Sequence, residues 1–119
     1  MTTDKRQLSD QAGAAIRAAS RAGGGVAVAD TTLWEIAMIA ARGSIRLPGT
    51  LTEYLRYLES VFIVLPITSA SAELSVRFPD QYPKNPADRI IGATAVVHKL
   101  QLATKDDGIR ASGEVNCVW

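Results

Sequence analysis

Short apolar segments alternating with amphipathic ones predict an α/β fold with a largely parallel sheet. Three observations carry that expectation. Val61 to Leu65 is apolar and β-branched along most of its length, the pattern of a strand covered on both faces. Two Thr-x-x-Glu sequences, Thr32–Glu35 and Thr50–Glu53, have the capping-box form that opens a helix. Pro79, Pro83 and Pro86 mark a loop, and the last of them can occupy the first turn of a further helix.

In chain order, Ala12, Ile16 and Ala19 recur at helical spacing from Ser9, and Gly23-Gly24-Gly25 closes that helix. Val26 to Ala29 reads as a short buried strand. The helix opened by Thr32–Glu35 closes near Gly43. Pro48-Gly49 is a turn, and the next helix carries Leu51, Tyr54, Leu55 and Leu58 on one side. After the Val61–Leu65 strand a helix is expected from about Thr68 to Arg77. The helix opened by Pro86 runs to about Lys99, Gln101 to Thr104 forms another strand, and Glu114 to Val118 forms the last.

A chain of 119 residues is about one domain's worth, and no repeat or low-complexity tract divides it. The longest apolar run, Val61 to Ile67, is too short to span a bilayer, and the polar N-terminus is no signal segment, so a cytoplasmic location without membrane attachment is expected. A single cysteine, Cys117, excludes an internal disulfide framework and a cysteine-rich zinc site. A net charge of +1 gives no global field that would announce a nucleic-acid partner. Gly23-Gly24-Gly25 lacks the Lys-Ser/Thr and the preceding strand of a phosphate loop. His98 stands alone late in a helix, as a charge near its C-terminus or a surface residue.

Three acids stand where chemistry could gather. In parallel sheets ligands bind outside the carboxyl ends of the strands. Glu35 lies just beyond the Val26–Ala29 strand and Asp106 just beyond the Gln101–Thr104 strand, while Asp88 sits in the first turn of the intervening helix. Clustered carboxylates suit a hard cation such as Mg²⁺, which takes one or two of them directly and keeps several waters. Each acid also has a purely structural reading. Glu35 can close a capping box, Asp88 can answer a helix dipole, and Asp106-Asp107-Gly108 can be a turn.

Four segments in series bear on the choice. Val26-Ala27-Val28-Ala29-Asp30-Thr31-Thr32-Leu33-Trp34-Glu35-Ile36-Ala37 resembles the second strand and following helix of PIN-domain, VapC-type toxins. Gly43-Ser44-Ile45-Arg46-Leu47-Pro48-Gly49 resembles that family's Gly-x-Leu-x-Leu-Pro link. Asn85-Pro86-Ala87-Asp88-Arg89 is similar to its Asp-Pro-Phe-Asp-Arg helix start, with Asn85 where the family has aspartate. Leu102-Ala103-Thr104-Lys105-Asp106 is similar to its Leu-x-Thr-x-Asp strand end. The likeness runs from about Leu8 to Trp119.

The resemblance implies a three-layer α/β fold, with a mostly parallel central sheet flanked by helices. It further implies a toxin-type endoribonuclease of a type II toxin–antitoxin system, using Mg²⁺ or Mn²⁺ held by Glu35, Asp88 and Asp106. RNA would be the substrate and a cognate antitoxin the protein partner. Arg89 is either a phosphate contact or a helix-surface charge. Family members open with an apolar strand ending in Asp-Thr or Asp-Ser. No counterpart is read in this chain, because Asp4 precedes a polar helix. The expectation is therefore impaired activity and a homo-oligomer, with a non-catalytic antitoxin-binding or dimerisation module as the alternative.

Overall fold

The computed structural model describes residues 25–43 and 46–119. The expected helix from Ser9 and the readings of Asp4 and of the opening strand lie outside the described residues. Within them the order is β1 (Ala27–Ala29), α1 (Asp30–Ala41), α2 (Leu51–Val61), β2 (Ile63–Leu65), α3 (Ser69–Arg77), α4 (Pro86–Val97), β3 (Leu102–Ala103), α5 (Asp107–Ser112) and β4 (Cys117–Val118). Both strand pairings are parallel. Ala27, Val28 and Ala29 of β1 face Ile63, Val64 and Leu65 of β2, and Leu102 and Ala103 of β3 face Cys117 and Val118 of β4. Among the described residues the two pairs remain separate two-stranded sheets. The α/β class with parallel strands stands.

Helix α1 starts two residues before its expected cap. Ala29 is the N-cap, without a side-chain bond, and the chain passes from strand to helix with no turn between them. Thr32 is consequently a buried residue inside the helix. Asp30 occupies the first turn, where a negative charge suits the dipole, and its Oδ2 accepts the Ile67 N–H at 2.9 Å, tying the start of α1 to the segment after β2. The expected cap at Thr50 forms on its side-chain half, and a further cap forms at Thr68. Thr50 accepts the Glu53 N–H at 3.1 Å, and Thr68 makes a reciprocal capping box with Ser71.

Val61 ends α2 and does not begin the strand, because the helix keeps its register until Phe62 turns extended. Helix α4 stops at Val97, and Lys99 adopts a left-handed φ of 56°, which reverses the chain toward β3. The Asp106-Asp107-Gly108 turn continues into α5, which ends on Gly113 at φ 73°.

Phe78, Tyr82, Ala93, Ala95, Ile109 and Val115 form a buried cluster, with Leu74, Leu102 and Cys117 packed against it. Gly92, Ala93, Thr94 and Ala95 give α4 a run of small buried residues, so its axis can approach its neighbours closely. Helix α4 touches α1, α3 and β1, and through this cluster it also meets β3. It therefore lies between the two strand pairs. No helix of the described residues is long and apolar enough to cross a membrane.

Candidate active site

Glu35 lies in the second turn of α1. Because the helix starts at Asp30, the carboxyl is too far along to close a capping box, and its structural explanation falls away. Burial pushes its pKa up, and the Asp88 charge adds to the rise. Asp88 is the third residue of α4. The Asn85 side chain caps that helix, with Oδ1 accepting the Ala87 N–H at 2.9 Å and the Asp88 N–H at 3.4 Å. An amide caps as well as a carboxylate does, so asparagine here keeps the helix start intact. Burial raises the Asp88 pKa, and Asp106 raises it further.

Asp106 is exposed and is the N-cap of α5. Its Oδ1 accepts the Ile109 N–H at 2.9 Å, and its own N–H donates to Thr104 Oγ1 at 3.1 Å. The local reading of this aspartate as a structural residue therefore holds for one of its oxygens. Asp88 is the shared neighbour of the series, feeling Asp106 and being felt by Glu35. Repulsion of this kind is relieved by a cation, and all the donors are the hard oxygens a hydrated Mg²⁺ prefers. Among the described residues, however, no three His, Cys, Asp or Glu side chains stand close enough to hold one ion directly. The donor set suits an ion that keeps its waters and takes one or two of these carboxylates, and does not suit a dehydrated ion gripped by all three.

Arg89 departs from expectation. Its Nε donates to the Pro83 carbonyl at 3.0 Å. One terminal nitrogen donates to the Ser75 and Phe78 carbonyls at 3.1 and 3.0 Å, and the other to those of Pro79 and Tyr82 at 3.3 and 3.2 Å. A guanidinium has five N–H donors, so none remains for a phosphate. In this structure the Arg89 guanidinium is committed to main-chain carbonyls. It pins the 78–83 loop and places its charge at the C-terminus of α3, where carbonyls lack helical partners.

Tyr82 was invisible to the motif-level reading. Its ring stacks on Phe78 with centroids 4.4 Å apart, and its hydroxyl donates to the Asp88 carbonyl at 2.7 Å. Burial, then Asp88, push its pKa well above the ordinary phenol value. The available signal was Gly92, an unexplained glycine inside a helical pattern. A Cβ there would collide with the Tyr82 hydroxyl. Cys117 packs against the core cluster, and burial pushes its thiol up, away from the reactive thiolate.

The PIN domain family model matches residues 3–114, and the chain belongs to that family. Over 86 residues it is 35% identical to Ribonuclease VapC22 of Mycobacterium tuberculosis. That alignment covers 72% of this chain and 66% of the relative, so the chain spans just under two thirds of that protein. Among solved structures it resembles a toxin–antitoxin complex from Klebsiella pneumoniae, with a TM-score of 0.62 and 28% identity over 78% of this chain and 72% of that one.

Proposed function

We propose that the chain is a divalent-metal-dependent endoribonuclease of the toxin type, hydrolysing RNA phosphodiesters with Mg²⁺ or Mn²⁺ and held in check by a cognate antitoxin in the cytoplasm. The observation that supports it most is the electrostatic series through Asp88, which couples Glu35 on one side and Asp106 on the other. Family membership and the likeness to a ribonuclease and to a toxin–antitoxin complex point the same way.

In this reading Asp88 and one neighbouring carboxylate hold the cation, and the third acts through water. A bound Mg²⁺ supplies positive charge that acidifies a water and stabilises a phosphoryl oxygen. Glu35, whose pKa burial and the Asp88 charge raise, is a carboxyl able to hold or pass a proton. The Asp106 carboxylate is held by its cap on Ile109, and its charge acts on Asp88. The test is cleavage of a labelled RNA with Mg²⁺ or Mn²⁺. Cleavage that needs the metal and disappears in Asp88→Asn is expected, and metal-independent cleavage, or cleavage surviving Asp88→Asn, overturns it.

One observation favours a second reading, a non-catalytic module that binds an antitoxin or a second copy of itself. It is the lack, among the described residues, of three metal-ligating side chains close enough to hold an ion directly. The same assay separates the two, because such a module binds its partner without cleaving RNA.

A further inference from the structure

Asp88 is held through its main chain from both directions. Asn85 caps its N–H, and the Tyr82 hydroxyl donates to its carbonyl. Tyr82 is 0% exposed, and its oxygen reaches that carbonyl only because residue 92, one turn further along α4, is glycine. A phenylalanine would fill the same space and stack equally on Phe78, so packing alone does not call for the hydroxyl. A mid-helix glycine is unfavourable on its own account. The pairing of Tyr82 with Gly92 therefore serves the one polar contact it permits, at the backbone of the central acid of the site.

We infer that Tyr82 is a positioning residue for the Asp88 carboxylate, its hydroxyl fixing the first turn of α4 so that Asp88 meets a divalent cation already oriented. The inference rests on the reading of Asp88 as a cation-binding acid, and adds to it the residue that sets the geometry. Arg89 strengthens the arrangement from the adjacent position, since its bond to the Tyr82 carbonyl keeps the tyrosine's own backbone in place. Residues that orient a ligand from behind commonly change metal affinity by about 10–100-fold when removed.

The experiment is Mn²⁺ titration of the whole chain, with free Mn²⁺ followed by electron paramagnetic resonance and folding checked by thermal melts in EDTA. Tyr82→Phe deletes only the hydroxyl, and Gly92→Ala keeps the phenol but drives its oxygen away from Asp88. Both are expected to weaken Mn²⁺ binding about tenfold, at the lower end of that range, while remaining folded. A purely structural tyrosine would lower the melting temperature and leave the dissociation constant unchanged, and that result overturns the inference. If Tyr82→Phe does not fold, Gly92→Ala decides on the same criterion. Asp88→Asn separates the two levels. If it binds Mn²⁺ as the wild type does, the functional reading fails and takes this inference with it. If it abolishes binding while Tyr82→Phe binds normally, only the positioning role fails.

Discussion

Replacing Arg89 should cost more stability than any other single change to a charged residue of the described structure, and the geometry sets the size. Five carbonyls lose a donor, and among the described residues only that of Pro79 keeps another, the Tyr82 N–H. Those of Ser75, Phe78 and Tyr82 belong to buried residues, whereas Pro79 and Pro83 are nearer to solvent and can turn to water. An unsatisfied buried polar group costs about 1–3 kcal/mol, and such losses are not additive. Arg89→Ala should therefore lose about 3–5 kcal/mol, a large share of the roughly 5–15 kcal/mol that holds a domain together. Arg89→Lys keeps the charge at the C-terminus of α3, but its single nitrogen offers three donors to carbonyls spread around a planar fork. A loss of about 2 kcal/mol is expected, between wild type and alanine. Urea unfolding reads both as a fall in midpoint with unchanged slope. If both variants stay within about 0.5 kcal/mol of wild type, as surface substitutions do, the guanidinium is not engaged as described. If they stay that stable while losing RNA affinity, the phosphate contact read from the sequence was right.

Other outcomes follow from the same contacts. Gly92→Ala should lower stability by about 1–3 kcal/mol by overpacking against Tyr82. Combined with Tyr82→Phe its cost should be less than additive in thermal melts, because part of the clash is gone. Asp106→Ala removes the α5 cap and should cost about 1 kcal/mol, whereas Asp106→Asn keeps the accepting oxygen and should change stability little while weakening Mn²⁺ binding. Glu35 and Asp88 have raised pKa values in the fold, so their contribution to stability is present below the ordinary carboxylate range of about 4 and is lost as pH rises through the raised values. Millimolar Mn²⁺ should therefore raise the melting temperature more at pH 7 than at about pH 4. Equal shifts at both pH values would contradict the coupling.

Element types were largely legible in the sequence, and the misreadings have local causes. Val26–Ala29 and the helix starts at Thr50, Thr68 and Pro86 rest on near-neighbour chemistry, and they hold. Thr32–Glu35 looks identical at that range. Whether it caps a helix or lies within one depends on β1 feeding α1 without a turn, which no four-residue pattern records. Helix α5 was missed because Asp-Asp-Gly suits a turn as well as a helix start, and the deciding term is the burial of Ile109 and Ser112. The candidate acids could be picked out by strand-end logic and resemblance, but Arg89 could not be assigned. A cation one turn from a proline-rich loop says nothing of five carbonyls converging on it. Their convergence is a tertiary fact.

Among the described residues the strands form two parallel pairs, and that arrangement bears on how the molecule comes apart. Glu35 hangs from the β1–β2 pair, Asp106 from the β3–β4 pair, and Asp88 from the helix that lies between them. The three acids thus sit on three different elements, and the repulsion of Asp88 with each neighbour works against the seams that join those elements. Anything that neutralises the repulsion acts as a staple across both seams, and its effect extends beyond the site to the cooperativity of unfolding. With the charges unrelieved, the pairs have reason to open one before the other, and probes in β2 and β4 would then report separate transitions. With them relieved, the transitions would merge into one.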